Sequence, residues 1–292
     1  MKFTQNGLKN IIGLNRRNLE VIHIHNKRTH FPIVDNKITT KEYLNKGDIP
    51  CPETICVIGN FFEIEKSLEL LLSYDTFVVK PSRGRAGGGI LLLERLDEKS
   101  WQTPSGNKVH EEDLKKHFGD ILFGVYSFGN SGDAVLIEKR IYPHSVFTDI
   151  YSDGVADIRI ITFRKKPVMA MVRLPTGQSD GKANLHQGAI GIPVDIHSGL
   201  TGNAMIKGKK IESHPDSGAQ LKGSSIPFWS QIIEMAVKSS ELIPLGYLGI
   251  DFVIDKKIGP LILELNARPG LQIQVINEKG LAPLIYEGSN DI

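Results

Sequence analysis

Two carboxylates and an amide oxygen lie near the C-terminal end of the chain: Asp251 in GIDFV, and Glu264 and Asn266 in LELN. They form an all-oxygen donor set suited to a hard cation such as magnesium, which takes one or two carboxylates and fills its other positions with waters and phosphate oxygens. Only a hairpin would bring the three together. Leu248, Ile250, Phe252 and Ile254 alternate with other residues, and Leu261, Leu263 and Leu265 alternate again after the polar stretch 255–260. The pattern predicts two strands and a short turn over residues 247–270. In such strands Asp251 faces away from its apolar neighbours, and Glu264 and Asn266 share the face opposite Leu263 and Leu265. The same pattern also describes a solvated hairpin face with scattered polar residues.

Residues 76–93, TFVVKPSRGRAGGGILLL, carry a second kind of chemistry. A strand ending at Lys80 runs into a loop with four glycines among residues 84–89, and a second strand follows. Backbone N–H groups of such a loop can cradle an anion, with Lys80, Arg83 and Arg85 adding positive charge. The loop is neither a Walker loop nor a Rossmann fingerprint, because a strand follows it rather than a helix. It reads as a hairpin lid over phosphates or as a mobile surface hairpin. In VADIRIITF, residues 155–163, Asp157 and Arg159 share one strand face, and a strand over 167–174 brings Arg173 forward. Planar guanidinium forks suit phosphate or carboxylate; the plain alternative is a surface ion pair. In KANLHQG, residues 182–188, Asn184 and His186 are the polar groups set to face a ligand.

Other stretches serve as packing. Residues 6–25 are partly helical in spacing, although His23 and His25, beside Val21, Ile22 and Ile24, also fit a strand. His23, His25 and His30 lack a carboxylate or Cys partner for a metal. A helix is predicted within 35–45, capped by Thr39 or Thr40, and another over 61–72 with Ile64, Leu68, Leu71 and Leu72 as its stripe. Residues 94–119 read as a polar segment and 134–141 as a strand. Residues 204–212 read as a basic hairpin, and 226–243 as a helix packed through Trp229, Ile232, Ile233, Ala236 and Val237.

At 292 residues, 40% hydrophobic and 23% charged, the chain has the composition of one large or two ordinary globular domains. A net charge of +2 from 35 basic and 33 acidic residues argues against a nucleic-acid partner, and the lysines at 207, 209 and 210 lack interleaved aromatics. No run is long enough to span a membrane and MKFTQNGLKN has no apolar signal core, so a cytoplasmic protein without a membrane partner is expected. Cys51 and Cys56 have no second pair to complete a zinc site and are expected to be reduced.

In their order, Lys37 in DNK, FVVKPSRGRAGGG, IEKRI, DIRIITF, MVR, NLHQG, GIDFV and LELNARPG resemble an ATP-grasp enzyme, most of all the RimK-type alpha-L-glutamate ligases. The resemblance covers residues 35 to about 277. It implies an α+β ATP-grasp fold: two α+β subdomains whose antiparallel sheets grip ATP, behind a reduced N-terminal segment. The expected division is a short segment 1–36, a helical lead-in 37–74, a lid subdomain 75–138 and a C-terminal subdomain 139–292 holding the metal. Residue by residue, it implies that Lys37 and Lys80 bind the α- and β-phosphates under a lid containing Gly87 and Gly88. The backbone of Glu138, Lys139, Arg140 and Ile141 would meet adenine. Arg173 would stabilise the γ-phosphoryl group, and Asp251, Glu264 and Asn266 would hold Mg2+, with Mn2+ a possible substitute. Arg159 and Asn184 match positions near the nucleotide and the acceptor carboxylate, and Arg268 fits a role on the reacting acyl group. For the ribose only His144 and Asp157 suggest themselves.

The implied activity is an ADP-forming carboxylate–amine ligase that passes through an acyl phosphate, with glutamate as a possible amine and a peptide or small carboxylate as acceptor. A kinase on the same fold, or an ATP-binding module without turnover, are the alternatives. RimK-type ligases carry a whole domain ahead of the DNK-type helix, whereas here about 36 residues precede it. A partner protein, a second subunit or a large substrate would then complete the acceptor site.

Overall fold

The structure is a computed structural model that describes residues 10–84, 87–127 and 132–286. Helices come first in the chain. α1 is a continuous helical run of Leu14–Arg16, a π-helical Arg17–Ile22 and His23–His25; α2 is Phe31–Asp35 and α3 is Lys37–Lys46. The strand alternative for His23 and His25 is therefore incorrect. Arg17, Val21 and Ile22 are the buried positions, a spacing that faces inward on a helix but not on a strand. α3 also begins earlier than expected: Asn36 Oδ1 accepts from the Ile38 N–H at 2.9 Å and so caps it. Thr40 instead donates its hydroxyl to the Ile33 carbonyl at 2.7 Å.

The chain divides into two units, each with its own antiparallel sheet. One comprises Asn36–Ile38 and Pro52–Ile141. Its strands are β1 Thr54–Ile58, β2 Thr76–Pro81, β3 Leu91–Arg95, β4 Ser100–Gln102, β5 Lys108–His110 and β6 Val135–Lys139, in the order β1-β6-β2-β3-β4-β5. Helices α4, Ile64–Leu71, and α5, Glu111–Leu122, pack on it around Phe77, Val79, Trp101, Phe118 and Ile137. Of the stripe expected on α4, Leu72 falls past the helix end and is 36% exposed. α5 lies largely where a polar segment was expected. Its acidic start, Glu111, Glu112 and Asp113, suits a helix N-terminus, and Leu114, Phe118, Ile121 and Leu122 form a buried stripe beneath the charges.

The other unit comprises Met1–Asp35, Thr39–Cys51 and Tyr142–Ile292. Its strands are β7 Asp157–Phe163, β8 Lys166–Leu174, β9 Ile190–Val194, β10 Ala204–Ile206, β11 Lys209–Ile211, β12 Tyr247–Asp255 and β13 Gly259–Asn266, in the order β11-β10-β9-β8-β7-β12-β13. Helices α6 Ser145–Thr148, α7 Trp229–Leu242, α8 Gln272–Ile276 and α9 Ala282–Tyr286 complete it. One sheet face, with Ile158, Ile160, Val172, Ile250 and Phe252, packs against α2, α3 and α7. α7 anchors through Trp229, whose indole N–H reaches the Ile196 carbonyl at 3.1 Å. Ile233 and Val237 are only half-buried, and Met235, Ser239 and Ser240 take the inner positions instead.

The opposite face changes character along its strands. Ile161, Phe163, Met169, Met171 and Tyr247 lie beneath α1, α8 and α9. Farther along the same strands stand Asp157, Arg159, Arg173 and Asp251. β12 lies between β7 and β13, and all nine of its residues are buried, so its polar face is not the solvated surface that alternation allowed. No helix among the described residues is long and apolar enough to cross a membrane.

Candidate active site

Register gathers the charged residues of the seven-stranded sheet. Asp157 pairs with Arg173, Arg159 with Asp251, and Asp251 with Glu264 on neighbouring strands. Arg159 donates from Nε to Asp251 Oδ1 at 2.7 Å and from Nη2 to Oδ2 at 2.6 Å. Arg173 holds Asp157 in the same forked way at 2.5 and 2.6 Å, and its Nη2 also reaches Asp251 Oδ2 at 2.9 Å. The Asn266 amide adds a longer contact to that oxygen at 3.3 Å. The result is an alternating lattice, Asp157–Arg173–Asp251–Arg159, with no net charge. Its geometry is the bidentate one that makes arginine–carboxylate pairs strong.

Burial raises the pKa of both carboxylates, and the arginines oppose it unequally. On Asp251 the charges of Arg159 and Arg173 outweigh burial and bring it down to about 2. On Asp157 burial wins over Arg173, helped by the neighbouring Asp251 charge, and lifts it to about 6. Arg173, although desolvated, is held above arginine's ordinary value by both carboxylates.

For a metal, the relevant donors are Asp251, Glu264 and Asn266. Glu264 is half-buried and in register with Asp251. Asn266 points its amide nitrogen at Asp251, which leaves the amide oxygen as the donor for a cation. Two carboxylates and an amide oxygen fit magnesium, but Asp251 spends its lone pairs on two guanidiniums and an amide. Among the described residues no group of three or more His, Cys, Asp or Glu side chains is arranged to hold a metal.

In the other unit the glycine-rich connection between β2 and β3 is secured at both ends. Lys37 donates from Nζ to the Gly84 carbonyl at 2.8 Å, and its backbone N–H bonds Ser82 O at 2.9 Å. His117 Nε2 lies 3.0 Å from Gly89 O. Gly89 has φ +72°, and a Cβ there would stand 2.7 Å from the Tyr126 ring, so only glycine fits. At the base, Asp133 accepts from the Ser82 hydroxyl at 2.5 Å, the Arg83 N–H at 3.0 Å, the Ser127 hydroxyl at 2.5 Å and the Ala134 N–H at 2.7 Å. Lys80 is buried and paired with Glu138 on β6 at 2.5 Å. Gly87 and Gly88 lie in the connection; Arg85 lies outside the described residues.

The remaining expected residues are more scattered. The Glu138 backbone sits inside the sheet, in register with Thr54 and Val78, and Lys139 N bonds Glu53 O at 2.9 Å. Arg140 and Ile141 follow the strand end. Asn184 caps a short turn, accepting from His186 N at 3.0 Å, and His144 likewise accepts from Val146 N at 3.1 Å. Arg268 pairs with Asp35 at 2.9 Å and lies over the Phe31 ring at 4.9 Å. The candidates for ribose, Asp157 and His144, are thus engaged by Arg173 and by a helix cap. Asp133 went unnoticed in the sequence because its partners at Ser82 and Arg83 lie some 50 residues earlier.

The model of a family described as sugar-transfer associated ATP-grasp matches residues 16–287. Among solved structures, the ATP-grasp ligase PsnB complexed with minimal precursor shares 13% identity at a TM-score of 0.50, over 89% of this chain and 60% of that one. PsnB complexed with a phosphomimetic variant of minimal precursor, Mg and ADP shares 12% at 0.50, over 89% and 59%. A biotin carboxylase–β,γ-ATP complex from Campylobacter jejuni shares 15% at 0.51, over 85% and 43%. These identities speak for the fold alone, and the chain spans about 60% or less of those proteins. Among curated proteins no sequence matches. The expected α+β ATP-grasp fold with antiparallel sheets is the fold observed.

Proposed function

Because the chain belongs to the sugar-transfer associated ATP-grasp family, we propose that it is an ADP-forming carboxylate–amine ligase. The observation that carries this reading is the charged end of the seven-stranded sheet, where Arg159, Arg173, Asp251, Glu264 and Asn266 occupy neighbouring register positions. Such an array is a preorganised electrostatic surface suited to a transferring phosphoryl group. Magnesium held by Glu264 and Asn266, with Asp251 behind them, would neutralise phosphate charge and orient the triphosphate. The guanidinium of Arg173, fixed by Asp157, is the group assigned to the γ-phosphoryl oxygens, with Arg159 beside it. Lys80, Lys37 and the connection around Gly87 and Gly88 are assigned to the α- and β-phosphates, the backbone from Glu138 to Ile141 to adenine, and Asn184 and Arg268 to the acceptor and acyl groups.

The chemistry balances in two displacements. A substrate carboxylate oxygen attacks the γ-phosphorus and the bond to ADP breaks, giving an acyl phosphate. An amine nitrogen then attacks the acyl carbon, phosphate leaves and the nitrogen loses a proton. Positioning supplies most of the rate enhancement, and exclusion of water by the glycine-rich connection protects the acyl phosphate. The RimK-type likeness favours an amino acid such as glutamate as the amine, and the family description makes a sugar-borne carboxylate or amine a substrate to include. ATP, Mg2+ and hydroxylamine, offered with a panel of sugar acids, amino acids and peptides, should yield ADP and a hydroxamate. ADP release with a phosphorylated hydroxyl and no hydroxamate would instead identify a kinase.

A second reading, a nucleotide-binding module without turnover, is favoured by one observation. Asp251 is saturated by arginine and amide donors, and Lys80 is neutralised by Glu138. Tight ATP binding with no ADP formed against the whole panel would decide for it.

A further inference from the structure

The segment ahead of α3 is stitched into the end of the β12–β13 hairpin by two buried side chains. Asn26, 2% exposed, uses its whole carboxamide. Nδ2 donates to the Tyr247 carbonyl at 2.7 Å and to the Ala267 carbonyl at 3.1 Å, while Oδ1 accepts from the Tyr247 N–H at 2.9 Å. Arg17, 7% exposed, lies in the π-helical part of α1 and donates from Nη1 to the Pro269 carbonyl at 2.8 Å. Its other side-chain partner is the adjacent Asn18 carboxamide, whose oxygen accepts from Nε and Nη2, and among the described residues it pairs with no carboxylate.

Burying a guanidinium against a carbonyl and an amide is unfavourable for stability alone, because desolvation is not offset by an opposite charge. A π-helical turn within an α-helical run, present at the same place, is a common mark of function. Of the three carbonyls held, the two after β13, those of Ala267 and Pro269, alternate with two residues assigned to the chemistry, Asn266 and Arg268. From the other side, Pro269 packs over Gly249, where an added Cβ would stand 2.6 Å from Pro269 Cβ. Residues 266–270 are therefore gripped between β12 and α1.

We propose that Arg17 and Asn26 are positioning residues that set residues 266–270, and through them the Asn266 oxygen and the Arg268 guanidinium, for the metal–nucleotide complex. The inference deepens the ligase reading and rests on its metal assignment. It also gives the N-terminal segment a share in building the site. Outer partners of metal ligands typically change metal affinity 10- to 100-fold when removed, and the same range is expected here.

The test uses Mn2+ with the non-hydrolysable ATP analogue AMPPNP, read by electron paramagnetic resonance of bound Mn2+, with unfolding followed by circular dichroism. Wild type should bind Mn2+·AMPPNP and Glu264→Ala should not; if wild type fails, the metal assignment itself falls. Given that result, Asn26→Asp, which faces two carbonyls with a carboxylate, and Arg17→Met should each weaken Mn2+ binding about tenfold or more. Arg17→Lys, which keeps a donor, should restore most of it. Gln274→Glu is the control. Gln274 is also buried and staples the segment, through Ile12 and Leu281, but not to residues 266–270. It should lower stability and leave Mn2+ affinity alone. Wild-type Mn2+ affinity in Asn26→Asp and Arg17→Met overturns the proposal, as does an equal loss in Gln274→Glu. Loss of the cooperative fold in both test variants likewise overturns it, assigning the two residues to the core.

Discussion

Arg159 and Asp251 face one another on β7 and β12 and close a two-pronged ion pair at 2.7 and 2.6 Å, and the same carboxylate takes a third guanidinium N–H from Arg173 at 2.9 Å. Asp251 is 2% exposed, so its charge is matched by protein rather than by water. Asp251→Asn should therefore leave two guanidiniums facing one remaining carboxylate, Asp157. A loss of about 3–5 kcal/mol is expected in urea denaturation, the usual cost of breaking a buried pair. Glu264→Ala, at a half-buried edge position, should keep the fold and lose ATP-dependent turnover. Retained turnover in Glu264→Ala would sink the metal assignment.

The two carboxylates of the lattice should show opposite pH behaviour. Asp157 is lifted to about 6 mainly by burial, so its protonated form favours the fold. That contribution is complete below the unfolded value near 3.8 and is lost as pH rises through about 6. Asp251, brought down to about 2, contributes above 3.8 and loses that contribution only as pH falls toward 2. The stability of wild type relative to Asp157→Asn should thus decline between pH 4 and about 6.5 and then level off. Denaturation curves across that range check it, and a difference that grows with pH would contradict the sign.

Gly249 offers a steric test of the loop after β13. Its missing Cβ is the space filled by Pro269, at 2.6 Å, with Asn266 Cβ at 3.5 Å. Gly249→Ala should cost about 1–3 kcal/mol through overpacking and should impair catalysis by moving residues 266–270. Gly13→Ala, where nothing lies within 4 Å, is the matched control and should stay within about 0.5 kcal/mol of wild type. Thermal unfolding and ADP release measured on both variants separate the two outcomes.

Lys80 and Glu138 separate binding from stability. The pair is buried at 2.5 Å, so Lys80→Met alone should cost about 3–5 kcal/mol by removing the positive charge that faces buried Glu138. Lys80→Met with Glu138→Leu should regain most of that stability, because well-packed apolar replacements of buried pairs are often neutral. ATP affinity should remain lost in the double variant if Lys80 meets the phosphates. Recovery of nucleotide binding along with stability, measured by calorimetry, would show that Lys80 serves only the sheet.

Much of this protein could be read from local pattern. Alternation in YLGIDFVID and in PLILELN was enough for β12, β13 and their turn, because a strand's faces are decided by residues two apart. The glycines of residues 84–89 marked a connection that approaches other atoms closely, and the order of motifs carried the ATP-grasp fold. What local pattern could not supply was the identity of neighbours. Alternation placed Arg159 beside Asp157 on one strand, but only register across β7, β8 and β12 gave Arg159 to Asp251 and Asp157 to Arg173. Alternation also left the Asp251 face open to solvent, whereas the seven-stranded order put β12 between two strands and buried it. Arg17, Asn26 and Asp133 had no signature at all: their partners lie 252, 241 and 51 residues away, at Pro269, Ala267 and Ser82. A polar side chain acquires such a role only from the backbone groups that folding brings within hydrogen-bond reach, and that distance is set by tertiary structure alone.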